Sequence, residues 1–573
     1  MKSTYLKKHE LIKEISLITN RSIDYCILST SNLNKELAKQ CLAECIRIIK
    51  DDGILFVHGL PSTLPSLLQP LMNTLTFKYW IAVESTVLNE KKGLPTTHAA
   101  IVLLSKQKKY FQIAKVRFPH RYCAFCNKTL KDWGGKAHLM HPDGFAISDV
   151  WRHFPKTNNY TKISLPVLQT LFSLANTDDN STGIVGPLEA ISFEQPDYGN
   201  GIGKIKLMNP HVAEELFDKF YSQYTLSAEV PAEEKKGKKP SEENKVNLLS
   251  EDMADKVHHG DIVKVLKSYP SNSIDLAFAD PPYNLDKMYN SYEDKKRETL
   301  YLDWCNTWLK EYIRVLKPTG ALFLLNLPKW AIHHANFLDQ YLFFQNWIVW
   351  DAISEPRGKL MPSHYALLFY TKHPSDFTFN YDKISEIDAP IFCLRASCIK
   401  ARKNQSIDTK ASLTDVWWDI HRIKHKKERD PHPCQLPEKL MERIILLTTN
   451  EGDIVLDGLC GTGTTPIVAA KLRRRYIAID IDKNYVEITK KKLKEIKTKG
   501  YIEREPTRKY KKPVTKKQLQ LELKELAKTL GRLPTEEDIK LMGKHSIEIF
   551  KENFPSLGKA LKAAKLEVLI GNP

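Results

Sequence analysis

The chain has 573 residues, and at about 100–200 residues per domain that length implies three or four folded units. Hydrophobic residues make up 42% and aromatics 10%, enough to build cores and to exclude wholesale disorder. Lys and Arg (86) outnumber Asp and Glu (68) to give a net charge of +18, an excess that points to a polyanionic partner, nucleic acid before a membrane surface. The longest apolar runs, such as Ile54–Val57 and Ala321–Leu327, fall far short of the roughly 18 residues of a membrane span. The N-terminal stretch MKSTYLKKHELIKE has neither an apolar core nor a small-residue cleavage site. Ten cysteines lie scattered without an extracellular framework and read as reduced thiols. No membrane association is expected, and the expected location is cytoplasmic.

In chain order, residues 1–227 form a first unit, and an insert at about 120–155 carries Cys123-x2-Cys126 and His138-x2-His141. Two thiols two residues apart are half of a tetrahedral zinc site, and the His pair is expected to complete a structural zinc. Its spacing is shorter than the usual three to five, with His120 or His153 as substitutes; the alternative is simple reduced cysteines and surface histidines. Residues 228–248 read as a linker, because Ala228–Lys245 is almost free of large apolar side chains and cannot offset chain entropy by burial. Residues 249–500 alternate apolar strands with amphipathic stretches. Ile274–Ala279, Ala321–Leu327, Ala366–Tyr370, Ile454–Leu456 and Tyr476–Ile479 read as buried parallel strands, with helical patterns at Trp304–Leu316 and Pro466–Leu472 between them. The fold class is a doubly wound, Rossmann-like α/β sheet. Residues 501–573 are basic at first and then amphipathic and helical, with Leu519, Leu521, Leu523, Leu526 and Leu530 expected to supply an apolar face.

The first and third units share local patterns in the same order. Ser22-Ile23-Asp24 recurs as Ser273-Ile274-Asp275, and Ile46–Lys50 with Gly53 recurs as Ile313–Lys317 with Gly320. Ser148-Asp149-Val150-Trp151 recurs as Thr414-Asp415-Val416-Trp417, and Asn209–Glu214 echoes Lys483–Glu487. Four pairs in register favour an internal duplication over two unrelated α/β domains.

Two segments carry chemistry. Asp280-Pro281-Pro282-Tyr283 ends the first strand of the third unit, where open α/β sheets form their ligand crevice. The prolines fix φ and hold a carboxylate and a carbonyl oxygen in place. Together these could accept both N–H bonds of a nucleobase amine and aim its lone pair outward, while Tyr283 offers a face for base stacking, worth roughly 1–3 kcal/mol. Asp457-Gly458-Leu459-Cys460-Gly461-Thr462-Gly463-Thr464-Thr465 joins a strand to a helix; its glycines admit close approach of a ligand to the backbone. It matches neither the Walker A loop nor the dinucleotide fingerprint. Asp480, at the end of the next strand, is placed to accept ribose hydroxyls, so a nucleoside cofactor is implied.

These residues resemble the β-class amino-methyltransferases that act on DNA with S-adenosylmethionine. The resemblance covers about Val257–Lys499 and rests on four motifs in order. They are Gly260-Asp261, Asp280–Tyr283, His432-Pro433-Cys434-Gln435-Leu436-Pro437 through Leu440, and Asp457–Thr465. It implies that Asp280 and Pro281 grip the target amine, with Pro282 stiffening the turn and Tyr283 stacking on a flipped base. It likewise implies that Asp457 and the loop through Thr464 hold the methionine part of the cofactor, Asp480 its ribose and Asp261 its adenine. The family's Pro-Phe after the loop Asp is Gly458-Leu459 here, so weaker cofactor affinity is expected. The implied reaction is methyl transfer to adenine N6 in duplex DNA, with cytosine N4 as the alternative, RNA in place of DNA as a weaker rival reading, and a non-catalytic DNA-binding protein as a rival of another class. A target-recognition region is expected at about 373–430, basic at Lys400, Arg402, Lys403 and Arg422–Arg429. A cognate restriction nuclease is the implied partner.

Against this family, residues 1–227 read as a degenerate copy. Ser29-Thr30-Ser31-Asn32 stands in place of the acidic turn, and Gly183–Leu188 stands near the place of the glycine loop. Because such enzymes often pair, an in-chain pseudo-dimer is expected. The tail resembles the repeats associated with homing endonucleases, which look like helix-turn-helix DNA-binding modules, although Asn553-Phe554-Pro555-Ser556-Leu557 departs from their usual F-G-S-W. The alternative there is a docking bundle.

Overall fold

The structure is a computed structural model. It describes residues 2–85, 93–107, 113–130, 138, 140–152, 154, 159–178, 180–192, 246–285, 294–352, 360, 362–389, 391–393, 395–407, 410–423, 434–499 and 514–566. The expected linker at Ala228–Lys245, the echo at Asn209–Glu214, the His432-Pro433 dipeptide, most of the basic run before it and the boundary at 500–513 lie outside the described residues.

Two mixed sheets dominate. The first contains β1 (Lys2–Tyr5), β2 (Ile23–Ser29), β3 (Ile49–Gly59), β4 (Thr76–Glu84), β5 (His98–Ser105), β6 (Val150–Trp151) and β7 (Thr182–Gly186), in the spatial order β1-β7-β2-β3-β5-β4-β6. The second contains β8 (Lys256–His259), β9 (Ile274–Ala279), β10 (Leu316–Asn326), β11 (Phe343–Asp351), β12 (His364–Thr371), β13 (Val416–Trp417), β14 (Ile454–Asp457) and β15 (Arg475–Asp480). Its order is β8-β15-β14-β9-β10-β12-β11-β13. Six consecutive positions therefore correspond: β7-β2-β3-β5-β4-β6 in one sheet and β14-β9-β10-β12-β11-β13 in the other. Strand directions agree at every step, being parallel except where β5 and β12 run antiparallel to both neighbours. The register breaks at matching places too, between Ile23 and Tyr25 and between Ile274 and Leu276.

The residues behind this match are those the sequence paired. Asp24 receives Lys50 at 2.6 Å, and Asp275 receives Lys317 at 2.7 Å. In α1 (Lys35–Ile48) Arg47 ties Glu44 to the carbonyls of Ile15 and Ile18; in α2 (Glu298–Val315) Arg314 ties Glu311 to those of Leu266 and Tyr269. The indoles of Trp151 and Trp417 donate to the carbonyls of Ser148 and Thr414. One expectation fails: the run Ala366–Tyr370 lies in β12, which is antiparallel on both sides. An unbroken apolar run reports burial on both faces of a sheet, not strand direction.

The sheets meet through reciprocal contacts. Asp415 accepts the Thr97 amide (2.8 Å) and hydroxyl (2.9 Å), and its other oxygen lies 2.8 Å from His98 Nδ1. Asp149 in turn accepts the Ser363 amide (2.8 Å) and hydroxyl (2.9 Å), with His364 Nδ1 3.0 Å from its other oxygen. Trp80 and Trp347, at equivalent points of β4 and β11, stack with centroids 3.9 Å apart. Leu94 packs into the core of the second half, and Leu360 into that of the first. Each half thus offers the other the same surface, the pattern of an isologous pair.

The C-terminal helices α8 (Lys516–Leu530), α9 (Glu536–Met542), α10 (Ile547–Asn553) and α11 (Leu557–Ala563) enclose their own core of Leu519, Leu523, Ile539, Phe550 and Ala560. Phe554, at the departure from F-G-S-W, is buried in that core, and Ser556 caps α11. Asp538 of α9 pairs with Arg473, and Lys528 with Glu386, so the module rests on the second half. No helix among the described residues is long and apolar enough to cross a membrane.

Candidate active site

A cleft of about 1060 Å3, counted to its open mouth, lies at the carboxyl ends of β9, β14 and β15. Its walls include Asp280 through Tyr283, Asp261, Asp457 through Thr462, Thr464 and Asp480; Trp304, Gln435, Asp482 and Tyr485 also line it. Apart from Gly463, every residue the sequence assigned to catalysis or cofactor binding reaches this one cleft. Gly463 stands at the start of α6 (Thr464–Lys471) with φ +85°, and a Cβ there would lie 2.5 Å from Thr489 Cγ2.

The acidic turn is fixed from behind. Tyr283 is 4% exposed and donates its hydroxyl to Asp280 at 2.7 Å; burial first and the Asp280 charge second push its pKa well up. Tyr301 of α2 donates to the Pro282 carbonyl (2.7 Å), and the Trp330 indole of α3 (Pro328–Leu338) donates to the Tyr283 carbonyl (2.8 Å). The Tyr283 ring lies 5.5 Å from that of Tyr365, whose hydroxyl accepts from Arg422 at 2.6 Å.

The glycine loop is held as firmly. Asp457 is buried; its carboxylate accepts the Thr465 hydroxyl and the Leu459 amide, yet desolvation outweighs these and pushes its pKa up to about 7. Asp480 accepts the amides of Gly461 and Asp482, both at 2.8 Å, and burial raises its pKa. Asp261 borders the cleft while one oxygen caps the short helix Ile262–Leu266 through the Lys264 amide. A Cβ at Gly458 would fall 2.2 Å from Ile262 Cδ1 and 2.9 Å from the Tyr312 hydroxyl, so a larger residue there makes those side chains shift.

Sequence reading missed the group that joins the two loops. The buried Tyr312 hydroxyl donates to the Phe278 carbonyl (3.0 Å) at the end of β9 and accepts the Gly458 amide (2.7 Å) after β14. A tyrosine in the apolar stripe of a helix carries no local signal for this; only the meeting of three elements shows it.

The cysteines of the expected zinc site have other neighbours than the histidines. Cys123 and Cys126 lie with Cys393 and Cys398, their sulfurs all within 4.8 Å of one another. Among the described residues that group includes neither His138 nor His141; His138 is exposed, and His141 Nδ1 lies 3.6 Å from Asp143. The second pair of cysteines comes from the other half of the chain, beyond the reach of any local spacing.

The acidic Pro-Pro turn and the glycine loop thus stand side by side at the ends of neighbouring parallel strands. The DNA methylase family model matches residues 274–491, and the homing endonuclease associated repeat model matches residues 514–567. The type II methyltransferase M.HpaI of Haemophilus parainfluenzae is 39% identical over 238 residues, 40% of this chain and 71% of its own. The DNA adenine methyltransferase YhdJ of Escherichia coli is 35% identical over 41% of this chain and 81% of its own. The match to the type II methyltransferase M.BamHI of Bacillus amyloliquefaciens, 38% identical, spans 42% of this chain and only 57% of that relative. A DNA modification methylase of Thermus thermophilus in complex with S-adenosyl-L-methionine is 23% identical, covering 42% of this chain and 92% of its own, with a TM-score of 0.30. The chain belongs to the DNA methylase family, the amino-methyltransferases of restriction–modification type.

Proposed function

We propose that the chain methylates an exocyclic amine in duplex DNA, adenine N6, with S-adenosylmethionine as donor. The observation that carries this reading is the single cleft in which Asp280–Tyr283 and Asp457–Thr464 face one another across adjacent parallel strands. The cleft suits the donor: Gly461 on its wall has no side chain to block it, and Asp480 stands beside it with two carboxylate oxygens. Bound there, S-adenosylmethionine supplies an electrophilic methyl group on a sulfonium.

The protein's own residues do the rest. A base in a duplex cannot present its amine to such a cleft and must be flipped out. Asp280 and the Pro281 carbonyl accept the amine's N–H bonds and turn its lone pair toward the donor, Pro282 keeps the turn rigid, and Tyr283 with Tyr365 forms the aromatic wall for the base. After transfer the surplus proton leaves through Asp280 or water. Positioning and electrostatics supply the rate, with no covalent intermediate. Asp457 and the loop through Thr464 hold the methionine part, Asp480 the ribose and Asp261 the adenine.

In this reading residues 249–500 form the catalytic unit and about 373–430 its target-recognition region. Residues 1–227 are a degenerate copy acting as an in-chain partner, a pseudo-dimer supported by the shared strand order and the reciprocal Asp149 and Asp415 contacts. Residues 501–573 add DNA contacts, and the biological setting is host-DNA marking opposite a cognate nuclease in the cytoplasm.

The test is transfer of labelled methyl groups to duplex DNA by wild type and Asp280→Ala, followed by nucleoside digestion. N6-methyladenine is expected from wild type, with transfer abolished and donor binding kept in the variant. N4-methylcytosine would replace the adenine assignment by the cytosine one, and equal transfer by both proteins would remove Asp280 from the mechanism.

A further inference from the structure

Outside the cleft, one cluster of reactive side chains stands unused. Cys123 and Cys126 lie on a tight hairpin: the Cys123 amide donates to the Lys128 carbonyl (2.7 Å), the Asn127 amide to the Cys123 carbonyl (3.0 Å), and Asn127 has φ +50°. Cys393 precedes α4 (Ala396–Asn404) and Cys398 lies in it. These pairs occupy equivalent intervals of the two halves, after β5 and before β6, and after β12 and before β13. We infer that the four cysteines form a closed structural zinc site that fastens the insert of the first half to the recognition region of the second.

The distances support it. A tetrahedral ZnS4 centre with Zn–S of about 2.3 Å places its sulfurs about 3.8 Å apart. Here Cys123 Sγ lies 3.7 Å from Cys398 Sγ, and Cys126 Sγ lies 3.6 Å from Cys393 Sγ. The spacings x2 and x4 both fall in the range seen for zinc-binding cysteine pairs. Four thiolates around Zn2+ carry a surplus of negative charge, and Arg402, 1% exposed, sets a guanidinium nitrogen 3.0 Å from Cys398 Sγ. Two further bonds join the segments, from the Ala124 amide to the Ile391 carbonyl (3.0 Å) and from Arg395 to the Thr129 carbonyl (2.6 Å). The fully buried members of this small core are Cys123, Cys393 and Cys398, with only partly buried apolar neighbours around them. So little apolar burial does not hold two segments together, whereas metal ligation supplies folding free energy directly. With all four positions taken by protein thiolates, no site is left for water or substrate, so the role is structural.

The test is the metal content of the purified full-length chain, independent of whether it transfers methyl groups. One zinc per chain is expected in wild type and in the double variant His138→Ala with His141→Ala, falling to near zero in Cys393→Ser and in Cys126→Ser. Should the cysteine variants precipitate, replacement by Co2+ in wild type decides: the inference expects the charge-transfer and visible bands of tetrahedral tetrathiolate cobalt. Metal-free wild type with no cobalt uptake, stoichiometric iron in place of zinc, or zinc lost on removing the histidines but kept in Cys393→Ser would each overturn it.

Discussion

Tyr312→Phe tests whether the two loops act as one site. The ring stays, keeping its edge contact with Trp308 at 5.3 Å, and only the hydroxyl that links the Phe278 carbonyl to the Gly458 amide is lost. No water reaches this buried position, so the Gly458 N–H is left unsatisfied at a cost of about 1–3 kcal/mol. In a unit of about 250 residues, 1 kcal/mol moves Tm by roughly 2–4 °C, so a fall of about 2–12 °C is expected. Catalysis should suffer separately: if the loop carrying Asp457 drifts from the strand end carrying Asp280, each 1.4 kcal/mol of lost alignment costs about tenfold in rate. Calorimetry gives the first number. Initial rates of methyl transfer against donor concentration, taken well below the variant's Tm, give the second, and a drop in kcat beyond any change in KM is the expected split. A variant that melts and turns over like wild type would show that the two loops keep their places without the bridge.

Three further outcomes follow from the same geometry. Asp457, with a folded pKa of about 7 against about 3.9 unfolded, holds an extra proton between roughly pH 4 and 7, so its contribution to stability is full below that window and is lost as pH rises through it. The urea midpoint should fall from pH 5 to pH 7 more steeply in wild type than in Asp457→Asn, and parallel slopes would contradict the assignment. Gly463→Ala forces φ +85° on a residue with a Cβ 2.5 Å from Thr489, so donor binding measured by calorimetry should weaken at least tenfold; unchanged affinity would mean the loop yields without cost. Asp415→Ala leaves Thr97 and His98 buried without their acceptor and should cost about 3–5 kcal/mol in denaturant unfolding, with Asp149→Ala similar by pseudo-symmetry; losses under about 1 kcal/mol would deny the contact between the halves its role.

What the sequence made legible was whatever depends on local pattern. The strand Ile274–Ala279 stands where its apolar run lies, and the turn and loop that carry the chemistry occupy the strand ends that alternation predicts. The paired fragments Asp24 with Lys50 and Asp275 with Lys317 were visible because each is a short, ordered pattern repeated. Strand β11 escaped notice because Gln345 and Asn346 interrupt its apolar run at the register break, and Asn346 there serves the other half by donating to the Leu94 carbonyl. The bridge from Tyr312 to Gly458 and the grouping of Cys398 with Cys123 were illegible for one shared reason: the partners lie 146 and 275 residues apart, and no spacing rule reaches that far.

The same contrast explains how the two halves differ. Both keep the elements that bury apolar surface, which any stable sheet needs. They part at the strand ends, where a buried carboxylate costs free energy unless it is used. In the second half Asp457 is such a carboxylate, and its raised pKa shows the cost. In the first half the corresponding end of β2 is Ser29, whose hydroxyl lies 2.8 Å from His58 Nδ1, a ring that burial holds neutral with its pKa down to about 4. The end of β7 is Gly186, where a Cβ would meet the Leu11 side chain at 2.6 Å, so the room a glycine loop needs is filled by hydrocarbon. Neutral groups and apolar filling avoid the cost of a buried charge. The surface of the first half at Trp80, Thr97, His98 and Asp149 is pressed against the half that carries Asp457.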